Sequence, residues 1–255
     1  MEQQQMEKSA GPRISLFFTP AAIQDERLKG YNAVVIDVLR AAASITMALN
    51  NGAREVIPVD SIAAAIDLSN DLQREDILLC GEREGKLVEG FHLGNSPWDY
   101  SRERVRGRTL IFGSANGSPA IVKASVAKTV MLCGFVNLNQ VVDTLAALQE
   151  PFPIALVCAG KLDQFALEDA VCGGLLIERL KARLPVGPAL NDAAHAAELL
   201  YREFGGDLQN LVRDCDHGRF LVEIGMENDL QICASDSVLP VVPVLRDGKL
   251  VKLET

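Results

Sequence analysis

The chain has 255 residues, of which 48% are hydrophobic and 23% charged, with a formal net charge of -9. Such a composition excludes a disordered, collagen-like or coiled-coil chain, and a fold of this length buries enough surface to need no disulfide or metal staple. Aromatics at 5% leave little for stacking platforms, and an acidic balance argues against nucleic acid, whose binding depends on clustered Lys and Arg.

Residues 1–12 are polar, lack an apolar h-region, and read as a disordered tail rather than a secretory signal. A first α/β half is expected over 13–128. Ile14 to Phe18 reads as a strand. Ala33 to Val38 is a second strand, apolar on both sides, as a strand covered on both faces requires. Ala41 to Asn50 is Ala-rich and helical, stopped by Asn51-Gly52. Glu55 to Val59 is a strand, and Asp60 reads as the N-cap of a helix reaching about Leu72. Ile77 to Cys80 is a strand. The segment from Glu82 to Arg108 has five glycine or proline breaks nearby and no sustained period, so it reads as a long functional loop. Its basic run, Arg102 to Arg108, reads as solvated. Thr109 to Phe112 is a strand, Ser114 to Ser118 a turn, and Pro119 to Val126 a helix.

The second half, 129–255, repeats the alternation. Strands are expected at Thr129 to Leu132 and Ile154 to Val157. Helices are expected at Leu138 to Leu148, Leu167 to Leu184 and Asn191 to Phe204. Val241 to Leu245 and Leu250 to Leu253 flank Asp247-Gly248, a hairpin signal. Strands alternating with helices predict a three-layer α/β sandwich, with mainly parallel sheets in two interlocked halves and the site between them. No apolar run reaches the ~18 residues of a membrane span. Six cysteines without any C-x-x-C spacing point to reduced, buried thiols in a cytoplasmic protein.

Open α/β sheets place ligands at the carboxyl ends of strands. Those ends carry Asp37 and Arg40, then Glu82 and Arg83, then Ser114, Asn116, Gly117 and Ser118, then Cys158, Gly160, Lys161, Glu168 and Asp169. Asp37 is either the cap of the following helix or a Mg²⁺ ligand or nucleophile. Arg40 either grips phosphate or pairs with Asp37. The small-residue turn at 114–118 either caps its helix or cradles an anion. Glu168 and Asp169 either complement the helix dipole or bind metal with Asp37. The histidines make no zinc spacing. Gly81 to Lys86 has the wrong length and ending for a P-loop, and neither G-x-G-x-x-G nor G-x-S-x-G occurs.

Five ordered motifs together resemble the 2-phosphosulfolactate phosphatase family (ComB family). They are VVIDVLRAAASITMALNNGA at 34–53, GEREG at 81–85, GFHLGNSPWDY at 90–100, SANGS at 114–118 and CAGKLDQFALEDAVCGG at 158–174, with a weaker match, DLQICA, at 229–234. The resemblance implies a Mg²⁺-dependent phosphatase that hydrolyses 2-phospho-3-sulfolactate to 3-sulfolactate and phosphate, a step of coenzyme M synthesis. It carries over Asp37, Arg40, Glu82, Arg83, Asn95, Ser96, Asn116, Gly117 and Asp169 as site positions. The chain departs from the family pattern at Ala42, Ala43 and Ala115, where hydroxyls are usual, and at His92, which replaces Asp. Lost hydroxyls are expected to remove hydrogen-bond donors from the anion site.

The resulting expectation is a phosphoric monoester hydrolase acting on a small anionic phosphate ester, with no nucleic-acid or membrane partner and with homo-oligomers allowed. Catalysis is assigned to Asp37, Glu82 and Asp169, and metal binding to Asp37, Glu168 and Asp169. Substrate binding is assigned to Arg40, Arg83, Asn95, Ser96, Ser114, Asn116, Gly117 and Ser118. The alternatives are a phosphatase for another phospho-acid and a non-catalytic metabolite-binding protein of the same fold.

Overall fold

The structure, a computed structural model, describes residues 11–23, 28–72, 75–148 and 153–254. Its described strands form one mixed sheet in the order β5-β4-β6-β3-β11-β10-β7-β2-β8-β1-β9. In chain order these are β1 (Arg13–Phe17), β2 (Asn32–Ile36), β3 (Glu55–Val59), β4 (Ile77–Arg83), β5 (Lys86–Leu87), β6 (Thr109–Gly113), β7 (Thr129–Cys133), β8 (Ile154–Cys158), β9 (Ala189–Leu190), β10 (Pro243–Arg246) and β11 (Lys249–Lys252). The helices are α1 (Ala41–Asn50), α2 (Ile62–Leu72), α3 (Arg102–Val105), α4 (Gly117–Ala124), α5 (Leu138–Ala146), α6 (Leu167–Arg183), α7 (Asp192–Phe204), α8 (Leu208–Asp214), α9 (Asp216–Glu223) and α10 (Asn228–Cys233).

Two parallel groups, β4-β6-β3 and β7-β2-β8-β1-β9, are stitched together by the antiparallel β10–β11 hairpin. Asp247 and Gly248 both adopt positive φ at its tip, the conformation a two-residue hairpin turn demands. Side-chain alternation sorts the strands into layers. Val34 and Ile36 of β2 join a core with Val141 of α5, Leu176 of α6 and Ala197 of α7. Ala33 and Val35 join the opposite core with Ala41, Ile45 and Ile121. Ile111 of β6 packs with Ala65 of α2, while its neighbours Leu110 and Phe112 face α1 and α4. The chain is therefore a three-layer α/β sandwich, as expected. Every residue of β2 is buried, and each such Val or Ile contributes about 1.5–3 kcal/mol.

Three antiparallel steps separate the two parallel groups, so β6 runs opposite to β2 along the ladder. In a flat sheet their carboxyl ends would lie on opposite edges. Five strand-to-strand steps separate them. At roughly 20–25° of twist per step, β6 is turned by about 100–125° relative to β2. The sheet thus curls around α1 and α4, and the two sets of carboxyl ends converge.

Several boundaries differ from expectation. The segment after Glu82 is built rather than irregular: β4 runs on through Arg83, β5 pairs back onto it, and a 3-10 turn at Pro97–Asp99 and α3 follow. The helix cap after β3 is Ser61, whose Oγ accepts the amide of Ala64, rather than Asp60. Helix α4 begins at Gly117, two residues before the proline. Helices α8 to α10 have no counterpart among the expected elements. They are six to eight residues each, too short for a 3.6-residue period to stand out. The tail expected at 1–12 lies largely outside the described residues.

Candidate functional site

A cleft of about 620 Å³ opens where the ends of β2, β3, β4, β6 and β8 meet α9. Asp37 and Arg40 reach it from the turn after β2. Asp37 is 3% exposed. Its Oδ1 accepts the amide of Ala41 at 2.9 Å, so the capping role exists. Its Oδ2 lies against Gly117, where any Cβ would collide with both that oxygen and Ala41 Cβ. Close approach therefore requires glycine at 117.

Asp169 stands behind this turn. Its Oδ1 accepts the amide of Val38 at 2.8 Å and its Oδ2 that of Gly160 at 3.0 Å. It straps the β2–α1 turn to the β8–α6 connection. Glu168, also buried, lies 3.4 Å from His217 Nδ1 and lines an adjoining cavity of about 200 Å³. Two of these carboxyls, Asp37 and Asp169, are held above their ordinary range. Burial pushes Asp37 up to about 6, His217 pulls it down, and Glu168 and Glu82 add to the rise. Burial, then Glu168 and Asp37, hold Asp169 well above the usual carboxylate range.

Among the described residues, no group of three or more His, Cys, Asp or Glu side chains is placed to hold a metal ion. The trio Asp37, Glu168 and Asp169 is thus not a ready-made cage. Mg²⁺ does not need one, because it is commonly held by one or two carboxylates together with water and substrate phosphate. Asp37 fits that use. It lines the cleft, and its Oδ2 accepts no hydrogen bond from the described residues, only Oδ1 being bound by an amide.

Arg40 pairs with Asp229, not with Asp37. Its Nη1 donates to Asp229 Oδ2 at 2.5 Å and its Nη2 to the carbonyl of Gly85 at 2.8 Å. Ser96 does not line the cleft; its Oγ donates to Asp229 Oδ1 at 2.6 Å. Asn95 does line it, and its carbonyl accepts Ser44 Oγ. Arg83 is exposed at the rim.

The 114–118 turn is held largely by its own atoms. The Ser114 amide donates to Ser118 Oγ at 2.8 Å, and the Ser118 amide to Ser114 Oγ at 3.0 Å. The Ala115 amide donates to Glu82 Oε1 at 2.8 Å. Asn116 does not cap α4; its Oδ1 accepts the amide of Leu162 at 2.8 Å. What the turn keeps for an anion is at most the amides of Asn116 and Gly117. Glu82 spends its other oxygen on the Gly85 amide, so this carboxylate braces two loops at the cleft wall.

The departures from the family pattern fall mostly outside the cleft. Ala42 and Ala43 are buried in the two opposing cores. His92 uses Nδ1 to accept the amide of Leu79. Of the four, Ala115 alone lines the cleft. The expected loss of anion-site hydroxyls thus reduces to position 115.

The structure adds His217, Phe220 and Asp229 to the site and brings in Lys161, one of the strand-end residues. Lys161, His217 and Phe220 line the cleft; Asp229 acts through Arg40. The DLQICA and GKLDQ motifs already contained two of them. His217 and Phe220 carried no sequence signal, because they arrive on α9. The assembled cleft sets Arg40, Arg83, Lys161 and His217 among Asp37, Asp60, Glu82 and Glu84. It offers anion-binding groups beside a carboxyl that exchanges its proton near neutrality.

A family model described as 2-phosphosulpholactate phosphatase matches residues 17–248. The chain is 41% identical over 230 residues to a protein of Symbiobacterium thermophilum, covering 90% of this chain and 97% of that one. It is 36% identical over 222 residues to one of Thermotoga maritima, covering 87% and 92%. It is also 36% identical over 235 residues to one of Caldanaerobacter subterraneus subsp. tengcongensis, covering 92% and 96%. All three relatives carry the name "Probable 2-phosphosulfolactate phosphatase".

Proposed function

Because the chain belongs to the 2-phosphosulpholactate phosphatase family, we propose that it is a Mg²⁺-dependent phosphoric monoester hydrolase converting 2-phospho-3-sulfolactate to 3-sulfolactate and phosphate, a step of coenzyme M synthesis. The observation that supports this reading is the close approach of buried Asp37 to Gly117 at the start of α4, with Asp37, Arg40 and Asn116 lining one cleft. Phosphoryl transfer needs spread negative charge stabilised and a nucleophile held in line. Arg40, braced by Asp229 and Gly85, and the amides of Asn116 and Gly117 bind the phosphoryl oxygens. Mg²⁺, held by Asp37 with substrate phosphate, supplies charge neutralisation when bound. Asp169 fixes the Asp37 turn through Val38.

Asp37 serves the reaction by attack on phosphorus, displacing 3-sulfolactate and leaving an aspartyl phosphate that water then hydrolyses to phosphate and free Asp37, or by accepting a proton from water that attacks phosphorus directly. Acid quenching separates the two: protein that retains radiolabelled phosphate has passed through an aspartyl phosphate. A cytoplasmic setting agrees with six buried, unpaired cysteines, and no helix among the described residues is long and apolar enough to cross a membrane. A second reading, a phosphatase for a different phospho-acid, is favoured by Ala115 alone.

The test is phosphate release from 2-phospho-3-sulfolactate with Mg²⁺ and with a chelator. Release that vanishes with chelation supports the proposal. Turnover of another phospho-acid in its place selects the second reading. Binding without turnover of any ester replaces both with a metabolite-binding protein.

A further inference from the structure

The proposed substrate carries acid groups besides its phosphate, and the cleft must have a cation to meet them. Arg40, paired with Asp229 at 2.5 Å, is already assigned to the phosphoryl group, His217 stands against Glu168, and Arg83 is exposed at the rim, where water screens its charge. Lys161 differs from all three. It lines the cleft and the adjoining smaller cavity, and it is half-buried. Among the described residues it has no carboxylate partner. Its Nζ sits 4.7 Å over the ring of Phe220 and donates to the Asp216 carbonyl at 3.3 Å. An aromatic face and a carbonyl hold an ammonium in place without cancelling its net charge.

The backbone around Lys161 is also fixed for this purpose. Lys161 and Gln164 exchange both backbone hydrogen bonds, closing a tight turn. Its two central residues, Leu162 and Asp163, have φ of +51° and +59°. Asp enters left-handed backbone readily, whereas a bulky residue such as Leu does so at a cost, so contacts at Leu162 hold the turn. One such contact is the hydrogen bond from the Leu162 amide to Asn116 Oδ1. The turn that offers amides to a phosphoryl group is thereby tied directly to the turn that presents Lys161.

We propose that Lys161 is the specificity-determining residue of this site, binding a second, non-phosphoryl acid group of the substrate while the 116–117 turn and Arg40 hold the phosphoryl group. The assignment rests on the phosphatase reading above. It defines the substrate class as small phosphate monoesters bearing a carboxylate or sulfonate within a few bonds of the ester oxygen. Simple alkyl phosphates lack the group that Lys161 meets.

The experiment compares kcat/KM of the parent and Lys161→Gln on three esters: 2-phospho-3-sulfolactate, 2-phospholactate, which lacks the sulfonate, and isopropyl phosphate, which lacks both acids. A charge-assisted hydrogen bond to a bound acid predicts that discrimination falls by about 10- to 100-fold. Collapse of the first-to-second ratio assigns the sulfonate to Lys161; collapse of the second-to-third ratio assigns the carboxylate. Lys161→Arg, which keeps the charge, recovers part of the lost ratio. Equal losses on all three esters, or no change on any, overturn the proposal. Calorimetric titration with 3-sulfolactate keeps the test independent of turnover. Weaker binding to Lys161→Gln supports the role even if the parent hydrolyses none of the esters, an outcome that would instead remove the phosphatase reading. Equal binding to parent and variant overturns it.

Discussion

Arg40 and Asp229 meet at 2.5 Å across 189 residues of chain, with side chains 3% and 4% exposed. Asp229 also accepts Ser96 Oγ, and Arg40 also donates to Gly85. The pair therefore joins α10, the β2–α1 turn and the segment after β4. A buried pair of this kind returns little net stability, but removing one partner strands the other charge. Asp229→Ala is expected to lower unfolding free energy by about 3–5 kcal/mol. Arg40→Met combined with Asp229→Leu should cost clearly less than the sum of the two single changes, as urea titration of the four proteins would show. Additive losses would mean that the two groups are not coupled.

Asp37 sets a stability cost against its role in the cleft. Its carboxyl titrates near 6 in the folded chain against 3.8 for the ordinary group. A raised acid is fully tolerated below the lower value and penalised as pH climbs through the upper one. Between pH 3.8 and about 6 the unfolded chain releases this proton before the native chain does, so stability falls across that window. Asp37→Asn removes the penalty and keeps an acceptor for the Ala41 amide. In chelator, the variant should exceed the parent by up to about 3 kcal/mol above pH 6. The advantage should shrink towards zero below pH 4, while phosphate release is lost at every pH. Urea titrations from pH 4 to 8 measure the gap. A gap that stays constant with pH would show that the parent's carboxyl is not raised.

Asp169 offers a way to separate orientation from metal binding. Both of its oxygens accept backbone amides, from Val38 and Gly160. Asparagine supplies one acceptor and turns an N–H₂ towards the other amide. Asp169→Asn should therefore lose about 1–3 kcal/mol of stability and misplace Asp37, lowering kcat at least tenfold. If Asp169 only orients, Mg²⁺ affinity of the variant stays within about threefold of the parent. A large loss of Mg²⁺ affinity would make Asp169 a ligand.

The alternation of apolar strands with Ala- and Leu-rich helices made the sandwich legible, because strand β2 and helix α1 carry their burial in composition alone. Helix α1 runs over the residues expected of it, Ala41 to Asn50. Less visible were features created by long-range contact. Arg40 has its acidic neighbour Asp37 three positions away, yet pairs with Asp229 because α10 brings that carboxylate to it. Ser114 and Ser118 look like phosphate ligands, yet bond to each other. The histidine spacing excludes a zinc site but does not show that His217 meets Glu168, which lies on α6. Local pattern fixes which face a strand buries, whereas the choice among several nearby partners depends on distances that only the folded sheet supplies.

Gly117 is where sequence and geometry constrain each other most tightly. Its backbone needs no unusual φ, since Gly117 is absent from the positive-φ residues. The restriction comes from space, because a Cβ would overlap Asp37 Oδ2 and Ala41 Cβ. Gly117→Ala must therefore push α4 away from α1 or rotate the Asp37 carboxylate. In an exposed helix the same change would stabilise, by up to about 1 kcal/mol. Here it should destabilise by about 1–3 kcal/mol, the usual cost of overpacking. It should also reduce kcat/KM more than Ala115→Ser does, because Ser adds one hydroxyl at an exposed position of the same turn. Thermal unfolding and phosphate release from both variants provide the check. A Gly117→Ala protein with parental stability and turnover would show that Asp37 does not need the close approach seen here, and the assignment of the reacting carboxylate would have to move elsewhere in the cleft.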